Sequence, residues 1–597
     1  MERGLTQPTQ AEIDNCAAEP IRIPGGVQPH GALVVLDPSS GKILQASANA
    51  AAILRQPIAA GGTVRLPAML LEWLHGGSGS FLEPLDIADT SFNVSGHFMP
   101  QGAIVEFEPR LEGQATTLEA VFPKLQSFAD EILPIEDVRA LGTAVAHQIR
   151  AITGFNRVMV YSFNRDWHGT VIAESGDGVL PSYLDLRFPA SDIPAQAREL
   201  YRLSPLRLIP SADYLPVGLE PVMSPVDGEP LDLSFAALRS VSPVHLQYMR
   251  NMGTYASMSI SIIVGDQLWG LITCHNKVAR GVSPQVRSAC NFVGKILSLQ
   301  VSSILRGAHD AQRIALKRQE TALVAHLSPA QAMSTELSRH GTTWMALANA
   351  TGAAIITEEE IRMVGETPPR EALLRLAQFL QQLGGDRIET DQLGSLWEEG
   401  KAFHDIASGM LAISISQLHP SYVIWFRPEV VRTVTWGGDP RTPADPKERL
   451  TPRSSFEQWK EVVHGVAVPW SAAEIESAED FRIALINFVL RRAEERAELI
   501  DELERTNKEL ESFSYSVSHD LRAPFRHIVG YAELLADREK QLDERSSYYL
   551  RNISEAALSA GQLVDDLLAF SQLGRATLAK TRVDMNKLVE EVRRSIE

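Results

Sequence analysis

Cysteine is scarce in this sequence, and its few thiols are not spaced for pairing. The 597 residues include three cysteines, Cys16, Cys274 and Cys290. None belongs to a Cys-x-x-Cys pair, so the spacing argues against a disulfide framework and against a structural zinc site. We therefore expect no metal, and a protein of a reducing compartment, the cytoplasm.

A long apolar run is also missing. The first ten residues are polar, which argues against a signal peptide. The most apolar stretch, Met258 to Cys274, is interrupted by Gly265, Asp266 and Gly270, a pattern typical of a β-hairpin. We expect no membrane span, so any signal that this protein senses would have to be cytoplasmic or membrane-permeant.

Positive charge is not in excess either. The formal net charge is −18 at pH 7, and no long basic cluster offsets it, which argues against a nucleic-acid partner. What is present is an ordinary globular composition, 44% apolar and 22% charged. The length predicts roughly three to five domains.

The hydrophobic patterns predict an α+β fold in which small domains with antiparallel sheets are joined by long helices. Residues 284–320 read as one helix with few breakers, too long for an ordinary globular helix. A single helix is also predicted over residues 133–153, and residues 344–417 again alternate strands and helices. The predicted hairpins pair 32–36 with 42–46, 157–163 with 170–174, and 257–264 with 268–274.

One turn-to-helix segment, Arg187 to Arg198, places a carboxylate in apolar surroundings. Ser191 and Asp192 are residue types that cap helices, and the residues after them favour a helix. Asp192 lies next to Ile193 and near Phe188, where a charge requires a polar partner. A structural role in capping is the simpler interpretation of Asp192 by itself.

The C-terminal part is helical, and its apolar residues step by four and three, as in a coiled-coil seam. Two such helices linked as a hairpin bury little surface alone, so a dimeric four-helix bundle is expected. The first seam consists of Leu499, Leu503, Thr506, Leu510, Phe513 and Val517. The second consists of Ile553, Ala557, Ala560, Val564 and Leu567.

His519 lies off the first seam, beside Asp520 and before Pro524, which can bend a helix. Asp520 could accept a proton from the imidazole and leave its other nitrogen nucleophilic toward a phosphoryl group. Ser518-His519-Asp520-Leu521-Arg522-Ala523-Pro524 resembles the phospho-acceptor box of sensor histidine kinases. The resemblance implies that His519 is phosphorylated with Asp520 as its base. No Gly-rich nucleotide site follows, so we expect this chain to lack the ATP-binding domain and to be inactive alone.

Two further motifs, Ile21 to Gly31 and Pro189 to Pro194, resemble the bacteriophytochromes, and Tyr248 to Gly253 supports the match. These are PAS–GAF–PHY red-light sensors that carry a linear tetrapyrrole. The resemblance covers residues 10–485 and implies a figure-of-eight knot between PAS and GAF. It implies an N-terminal segment and PAS domain in 1–115, a GAF domain in 116–305, a PHY domain in 306–485, and a coiled-coil linker with dimerisation helices in 486–597.

Carried over residue by residue, the resemblance implies a bilin-binding site. Pyrrole N–H groups need acceptors in a dry pocket, and Asp192 and the His245 ring would supply them. Two propionates need cations and hydroxyls, and the isomerising ring needs an aromatic socket. The propionate partners would be Arg207, Arg239, Ser242, Ser257 and Ser259. The socket would be Tyr161, Phe188, Tyr248 and His275, with Ile193 and Pro194 completing the site.

The cysteines refine the expected pigment. In plant-type phytochromes the attachment cysteine immediately precedes the pocket histidine, and here that position is Val244. Cys16 matches the N-terminal attachment position of biliverdin-binding bacterial members. The resemblance therefore implies biliverdin joined by a thioether to Cys16. An inert thiol is the alternative for Cys16 taken alone.

A long Pro/Gly-rich excursion, residues 422–470, resembles the PHY tongue. Arg453 matches a residue that pairs with Asp192 in the red-absorbing state, and Trp436 and Ser455 lie in the tongue motifs. The family mechanism implies that light isomerises the pigment, Arg453 exchanges its partner, and the tongue refolds. The helices would then carry the change to His519. Leu186 is apolar where family members often carry a polar group, so the dark state stays open.

Two other functions are compatible with parts of the sequence. One is a PAS/GAF sensor of a small ligand that has lost its pigment, and the other is a bilin carrier or interaction module without enzymatic output. Cys16, Asp192 and His245 together favour the pigmented sensor, and the His519 box favours a kinase. The expected partners are a second copy of the chain and a response-regulator receiver domain.

Overall fold

The computed structural model describes residues 19–110, 118–327, 333–358, 360–416, 419–438, 458–539, 543–573 and 584–596. The chain divides into two units, residues 1–482 and 483–597. The first unit contains three antiparallel-rich sheets, and the second unit is helical. We call the parts of the chain that form most of the first, second and third sheets the first, second and third domains. Among the described helices, none is both long enough and apolar enough to cross a membrane.

The first sheet has seven strands and carries two short helices, α1 (Ala50–Leu54) and α2 (Ala68–Gly76). Strand β2 is buried along its whole length because it is covered on both faces. Val34 and Leu36 pack toward the helices, whereas Leu33 and Val35 pack against a segment from much later in the chain. Its first six strands are β1 (Gly26–Val27), β2 (Ala32–Leu36), β3 (Ile43–Ser47), β4 (Phe81–Ile87), β5 (Thr90–Met99) and β6 (Gly102–Pro109).

The seventh strand of this sheet, β11 (Val217–Glu220), comes from the second domain and lies between β1 and β3. The backbone N–H of Gln28 donates to the carbonyl of Leu238 at 2.7 Å. Its side-chain amide donates to the carbonyl of Leu208 at 3.1 Å. The two segments that an interdomain knot would cross are therefore in direct contact.

The second sheet has eight strands in the order β10-β12-β13-β7-β8-β9-β19-β20, of which the last two, β19 (Arg432–Gly437) and β20 (Gln458–Val463), come from the third domain. Six come from the second domain: β7 (Arg157–Phe163), β8 (Gly169–Gly176), β9 (Arg187–Phe188), β10 (Leu206–Ile209), β12 (Ala256–Val264) and β13 (Gln267–Asn276). Its helices are α3 (Leu118–Ile132), α4 (Val138–Thr153), α5 (Ala195–Leu203), α6 (Pro243–Asn251) and α7 (Pro284–Leu327). The expected hairpins and the long helix are confirmed.

The helix predicted over residues 133–153 is present, but its predicted start is five residues too early. The structure ends α3 at Ile132 and begins α4 at Val138. The restart has a local cause, because the Asp137 side chain accepts a hydrogen bond from the backbone N–H of Ala140 at 2.7 Å.

The third sheet has five strands, in the order β15-β14-β18-β17-β16. They are β14 (Gly352–Ile356), β15 (Ile361–Gly365), β16 (Arg387–Thr390), β17 (Gly409–Ser416) and β18 (Ser421–Arg427). The helices around it are α8 (Met333–Arg339), α9 (Gly341–Ala346), α10 (Arg370–Leu383), α11 (Leu393–Leu396) and α12 (His404–Ala407). After β18 the chain leaves this sheet as a hairpin, β19 (Arg432–Gly437) and β20 (Gln458–Val463), which extends the second sheet.

Helix α13 (Ala472–Arg538) runs from the first unit into the second and continues through Pro524. Helices α14 (Glu544–Leu573) and α15 (Met585–Ile596) complete the second unit. Several apolar side chains of the first seam are exposed within the single chain: Leu499, Leu503, Leu510, Phe513 and Val517.

Candidate functional site

The segment around Asp192 is a short 3₁₀ turn, Ala190–Asp192, that precedes α5. The residue at the start of α5 is Pro194, and no side chain caps this helix, so the predicted capping by Ser191 and Asp192 was wrong. Two other hydrogen bonds hold the turn. The Arg198 guanidinium donates to the carbonyl of Ile193 at 2.9 Å, and the N–H of Ala190 donates to Nδ1 of His168 at 3.2 Å.

The carboxylate of Asp192 has a partner on helix α6. The hydroxyl of Tyr248 donates to Oδ2 of Asp192 at 3.0 Å. One turn earlier on the same helix, the ring of His245 lies parallel to the ring of Tyr248, with centroids 6.1 Å apart. The structure therefore brings Asp192, His245 and Tyr248 together. Tyr248, which the sequence assigned to the aromatic socket, is also a hydrogen-bond partner of Asp192.

His245 is a neutral imidazole. Burial, reinforced by the positive charge of Arg207, lowers its pKa to about 4. Its side chain is nevertheless half-buried, and within the described chain neither ring nitrogen has a hydrogen-bond partner. A side chain that loses the hydration of bulk water but keeps unused polar atoms is typical of a ligand cleft.

Arg207 and Arg239 are two buried cations that form no salt bridge within the described part of the chain. Their residues are 9% and 7% exposed, and neither forms a salt bridge with a described carboxylate. They donate to main-chain carbonyls instead: Arg207 to those of Ala236 and Arg239, and Arg239 to that of Ser234. Burial and the neighbouring charge of Arg207 lower the pKa of Arg239 to about 8. Main-chain carbonyls do not neutralise these two charges, so this part of the site could accept negatively charged ligand groups.

The predicted serines lie at different places. Ser257 and Ser259 are buried on β12 and face β10, where Arg207 pairs with Ser259. Ser242 lies just before α6, and its hydroxyl donates to a carboxylate oxygen of Glu19 at 2.7 Å. Ser242 is therefore bonded to the N-terminal segment in this structure.

An aromatic cluster lies on strands β7 and β9 and on the loop that precedes β9. The rings of Tyr161 and Phe188 are 6.0 Å apart, and the ring of Tyr183 lies 5.7 Å from Phe188. Leu186 is buried in the same cluster. His275, on β13, is linked to it through Arg157, which contacts both Nδ1 of His275 and the ring of Tyr183. Tyr183 and Arg157 were not predicted, because their roles depend on strand pairing rather than on a local motif.

Trp436, near the end of β19, lies beside this cluster. It pairs in parallel with Arg187, and its ring is 5.3 Å from that of His168. Its indole N–H donates to Glu461 at 2.7 Å. Gly437 follows, and a Cβ there would approach the Phe188 ring to 2.6 Å, so only glycine permits this contact. Cys16, Arg453 and Ser455 lie outside the described residues.

The predicted phosphoacceptor is on the surface of the second unit. The His519 side chain is 70% exposed, and its Nδ1 lies 3.3 Å from a carboxylate oxygen of Asp520. This geometry leaves Nε2 open to an incoming phosphoryl group. Arg522, in the same box, forms an ion pair with Asp565 of helix α14.

Four family profiles match the chain in succession. They are the PAS fold at residues 16–110, the GAF domain at 137–305, the phytochrome region at 316–494 and the His Kinase A (phospho-acceptor) domain at 509–576. Their order defines the class of protein: a sensor whose input domains precede histidine kinase helices.

Relatives and solved structures specify the sensor. Cyanobacterial phytochrome B of Nostoc sp. is 37% identical over 98% of this chain and 81% of its own length. A bacteriophytochrome of Pseudomonas aeruginosa is 33% identical over 98% and 80%. The crystal structure of a bacteriophytochrome from R. palustris superposes with a TM-score of 0.71, at 38% identity, covering 81% of this chain and all of that one. The photosensory core of the Stigmatella aurantiaca phytochrome gives 0.70 at 36% identity, covering 80% of this chain and 98% of that one.

The chain belongs to the phytochrome family. It is a light photoreceptor with histidine kinase output, and its phospho-acceptor helices are of a type that forms homodimers.

Proposed function

We propose that this chain binds biliverdin covalently through Cys16 and switches between red- and far-red-absorbing states that control phosphorylation of His519. The buried guanidinium groups of Arg207 and Arg239, which form no salt bridge with a described carboxylate, carry the proposal. Two propionates would supply the missing negative charge, and pyrrole N–H groups would supply donors for His245. The donor and acceptor set of the cleft thus fits a linear tetrapyrrole.

The other thiols support Cys16 as the attachment point. Cys274 and Cys290 are buried in the hydrophobic core. Burial raises the pKa of Cys290 to about 12 and that of Cys274 well above the usual range. A thioether requires a reactive thiolate, and neither buried thiol provides one.

Each residue of the cleft has a proposed task. Arg207 and Arg239, with Ser257 and Ser259, would hold the carboxylates of the pigment. Asp192 and His245 would accept from its nitrogens, with Tyr248 orienting Asp192. When bound, the pigment supplies light absorption and a double bond that isomerises. The remaining contacts would come from Ile193, Pro194, Ser242, Tyr161, Phe188 and His275.

We also propose that residues 422–470 include a tongue that reports the state of the cleft. The docked strand β19 supports this, because Trp436 and Gly437 contact Arg187 and Phe188 directly. Arg453 would pair with Asp192 in one state, with Ser455 beside it in the same motif. The proposed boundaries are 1–115, 116–305, 306–485 and 486–597, with a response-regulator receiver domain as partner. A cytoplasmic location stays a prediction.

Assembly with biliverdin tests the pigment. The chain is mixed with biliverdin, and its absorption spectrum is recorded before and after red and far-red light. We expect a red band that converts reversibly. In Cys16→Ser the band should persist in weakened form, but no pigment should remain on the denatured chain. Cys290→Ala is the matched control and should keep the adduct. Pigment on denatured Cys16→Ser would refute the attachment, and the absence of any red band would favour a pigment-free sensor.

Phosphorylation of His519 requires a separate experiment. The chain is incubated with labelled ATP, alone and with the ATP-binding domain of a relative added in trans. We propose that label appears on the wild type only with the added domain, and not on His519→Gln. Label on the chain alone would contradict its expected inactivity, and label on His519→Gln would exclude His519 as the acceptor.

A further inference from the structure

Arg157 is a buried cation that no sequence motif explains. It lies at the start of β7 and is 1% exposed. A buried guanidinium needs polar or aromatic partners in place of water. One amino group donates to the carbonyl of Pro181, and the guanidinium carbon lies 3.9 Å from the centroid of the Tyr183 ring. The other amino group lies 2.9 Å from Nδ1 of His275.

The contact with His275 has one chemically permitted direction. A guanidinium group donates hydrogen bonds and accepts none, so Nδ1 of His275 must be the acceptor. An accepting nitrogen carries no proton, and the proton of the neutral ring is therefore on Nε2. Protonation of both nitrogens is opposed as well, because burial and then the charge of Arg157 lower the pKa of His275 well below its usual range.

Nε2 is left available for something other than protein. Within the described residues it has no hydrogen-bond partner, and the side chain is half-buried rather than sealed. His275 pairs across strands with Ser257 on one side and Arg157 on the other. Through Arg157 and Tyr183 it is connected to the Phe188 cluster.

We propose that Arg157 is a positioning residue that fixes His275 as its Nε2–H tautomer. The cleft then presents a hydrogen-bond donor at this point, suited to a carbonyl oxygen of the ligand and unsuited to an N–H group. The consequence for the pigment rests on the proposed function, whereas the tautomer itself does not. Arg157 acts on the ligand only through His275.

Nitrogen NMR of the pigment-free chain tests the tautomer directly. The chain is labelled with ¹⁵N-histidine, and the His275 signals are assigned by subtracting the spectrum of His275→Gln. We expect a proton on Nε2 and none on Nδ1 near neutral pH. A proton on Nδ1, or on both nitrogens, would overturn the proposal. This measurement needs no Arg157 variant, so it holds even if those variants fold poorly.

A pair of variants tests the role of Arg157. Arg157→Met keeps the length of the side chain but removes the donors, and we expect both tautomers of His275 to appear. Arg157→Lys keeps a cationic donor and should restore much of the Nε2–H signal. The exposed Arg139→Met is the matched control and should leave it unchanged. An unchanged His275 signal in a folded Arg157→Met chain would contradict the proposal.

The same variants assembled with biliverdin connect the tautomer to the pigment. We expect Arg157→Met to shift the red band and reduce the light-induced difference, with Arg157→Lys closer to the wild type. Normal spectra in an Arg157→Met chain whose tautomers are mixed would overturn the proposed consequence for the ligand. If the wild type shows Nε2–H but binds no biliverdin, the proposed function fails while the tautomer assignment stands, so the two failures are distinguishable.

Discussion

Glu106, in strand β6, is a carboxylate buried beneath the segment that crosses from the second domain. It is 2% exposed and accepts hydrogen bonds from the backbone N–H groups of Leu238 and Ala237, at 2.6 and 3.1 Å. Burial nevertheless dominates and raises its pKa to about 7. Unlike the neighbouring Glu108, which is paired with Arg287, Glu106 has no ion-pair partner among the described residues.

This raised pKa predicts a pH-dependent stability. Below about pH 4.5 Glu106 is protonated in both folded and unfolded chains, so it does not make the stability depend on pH there. Between pH 4.5 and 7 the unfolded chain ionises first, and stability falls as pH rises. Glu106→Gln removes this slope. Relative to the wild type, the variant should gain about 2.5 kcal/mol between pH 5 and pH 8.

Hydrogen exchange of β6 amides in increasing urea, at pH 5 and pH 8, measures this difference. Glu83→Gln is the control, since Glu83 is exposed on β4 and its charge is solvated. An equal urea dependence of Glu106→Gln and wild type at both pH values would show that Glu106 is ionised in the folded chain.

At the residue scale, the sequence predicts which residue types form the site better than it predicts which residues they contact. Asp192 lies in a motif, and the resemblance to the bacteriophytochromes names His245 and Arg207. The structure places Tyr248 against both Asp192 and His245, and Arg207 near enough to lower the pKa of His245. Tyr183, His168 and Arg157 lie outside those motifs, and their contacts with the site depend on how the strands pair. A motif records which residues are present, whereas a hydrogen bond such as Arg157 to His275 depends on register.

A buried ion pair joins three elements of the third domain. Arg427 ends strand β18, and its guanidinium lies 2.6 Å from the carboxylate of Glu474 in the first turn of α13. It also covers the ring of Trp470 at 3.9 Å. The Glu474 carboxylate accepts the N–H of Ser471 at 2.8 Å, and the N–H of Glu474 donates to the Ser471 hydroxyl, which forms a capping box. The start of helix α13 is therefore fixed to the end of strand β18, from which the β19–β20 hairpin leaves the third sheet.

Removing one partner of this ion pair should lower the stability of the folded chain. Both side chains are about 5% exposed, so Glu474→Ala leaves a buried guanidinium without a counter-ion. We expect a loss of about 3–5 kcal/mol in stability, and a smaller loss for the double variant Arg427→Met/Glu474→Met. Hydrogen exchange of peptides from residues 472–485 reports the local opening.

The exposed pair Arg375–Glu399 supplies the matched control for that experiment. Both of its side chains are about half exposed, so Glu399→Ala should cost less than about 1 kcal/mol. If Arg427→Met/Glu474→Met loses as much stability as Arg427→Met and Glu474→Met added together, the two residues contribute independently, which would contradict this prediction.

At the element scale, local pairings were predictable and distant ones were not. The hairpins on either side of Asp37 and of Asp266 can be predicted, because turn residues separate two apolar strands in each of them. Strand β11 joins the first sheet from the second domain, and β19 joins the second sheet from the third. Such additions leave no periodic signal, because the partner strand lies hundreds of residues away.

For the whole molecule, the exposed seam of α13 predicts how two chains associate. Leu503 and Leu510 are 73% and 56% exposed in the single chain. Phospho-acceptor helices of this family form homodimers, and such a seam would be covered by partner helices. We expect Leu510→Glu to convert the dimer to monomer or weaken it at least tenfold, because it buries a charge in the seam.

Light scattering coupled to size-exclusion chromatography, over a range of concentrations, measures the association. Lys508→Glu is the control, since Lys508 lies off the seam and its reversal changes charge without changing the apolar face. If Leu510→Glu dimerises as tightly as Lys508→Glu, the dimer is held by other surfaces.

The crossing between the first two domains also sets the timing of assembly. The side chain of Gln28 bonds to the carbonyl of Arg239, 211 residues later in the chain. At roughly 5–20 residues per second, the ribosome needs about 10–40 s to make that stretch. The N-terminal segment therefore stays without its partners during most of the synthesis of the second domain. The proposed pigment would then bind only after this crossing has closed, which is after the second domain has been synthesised.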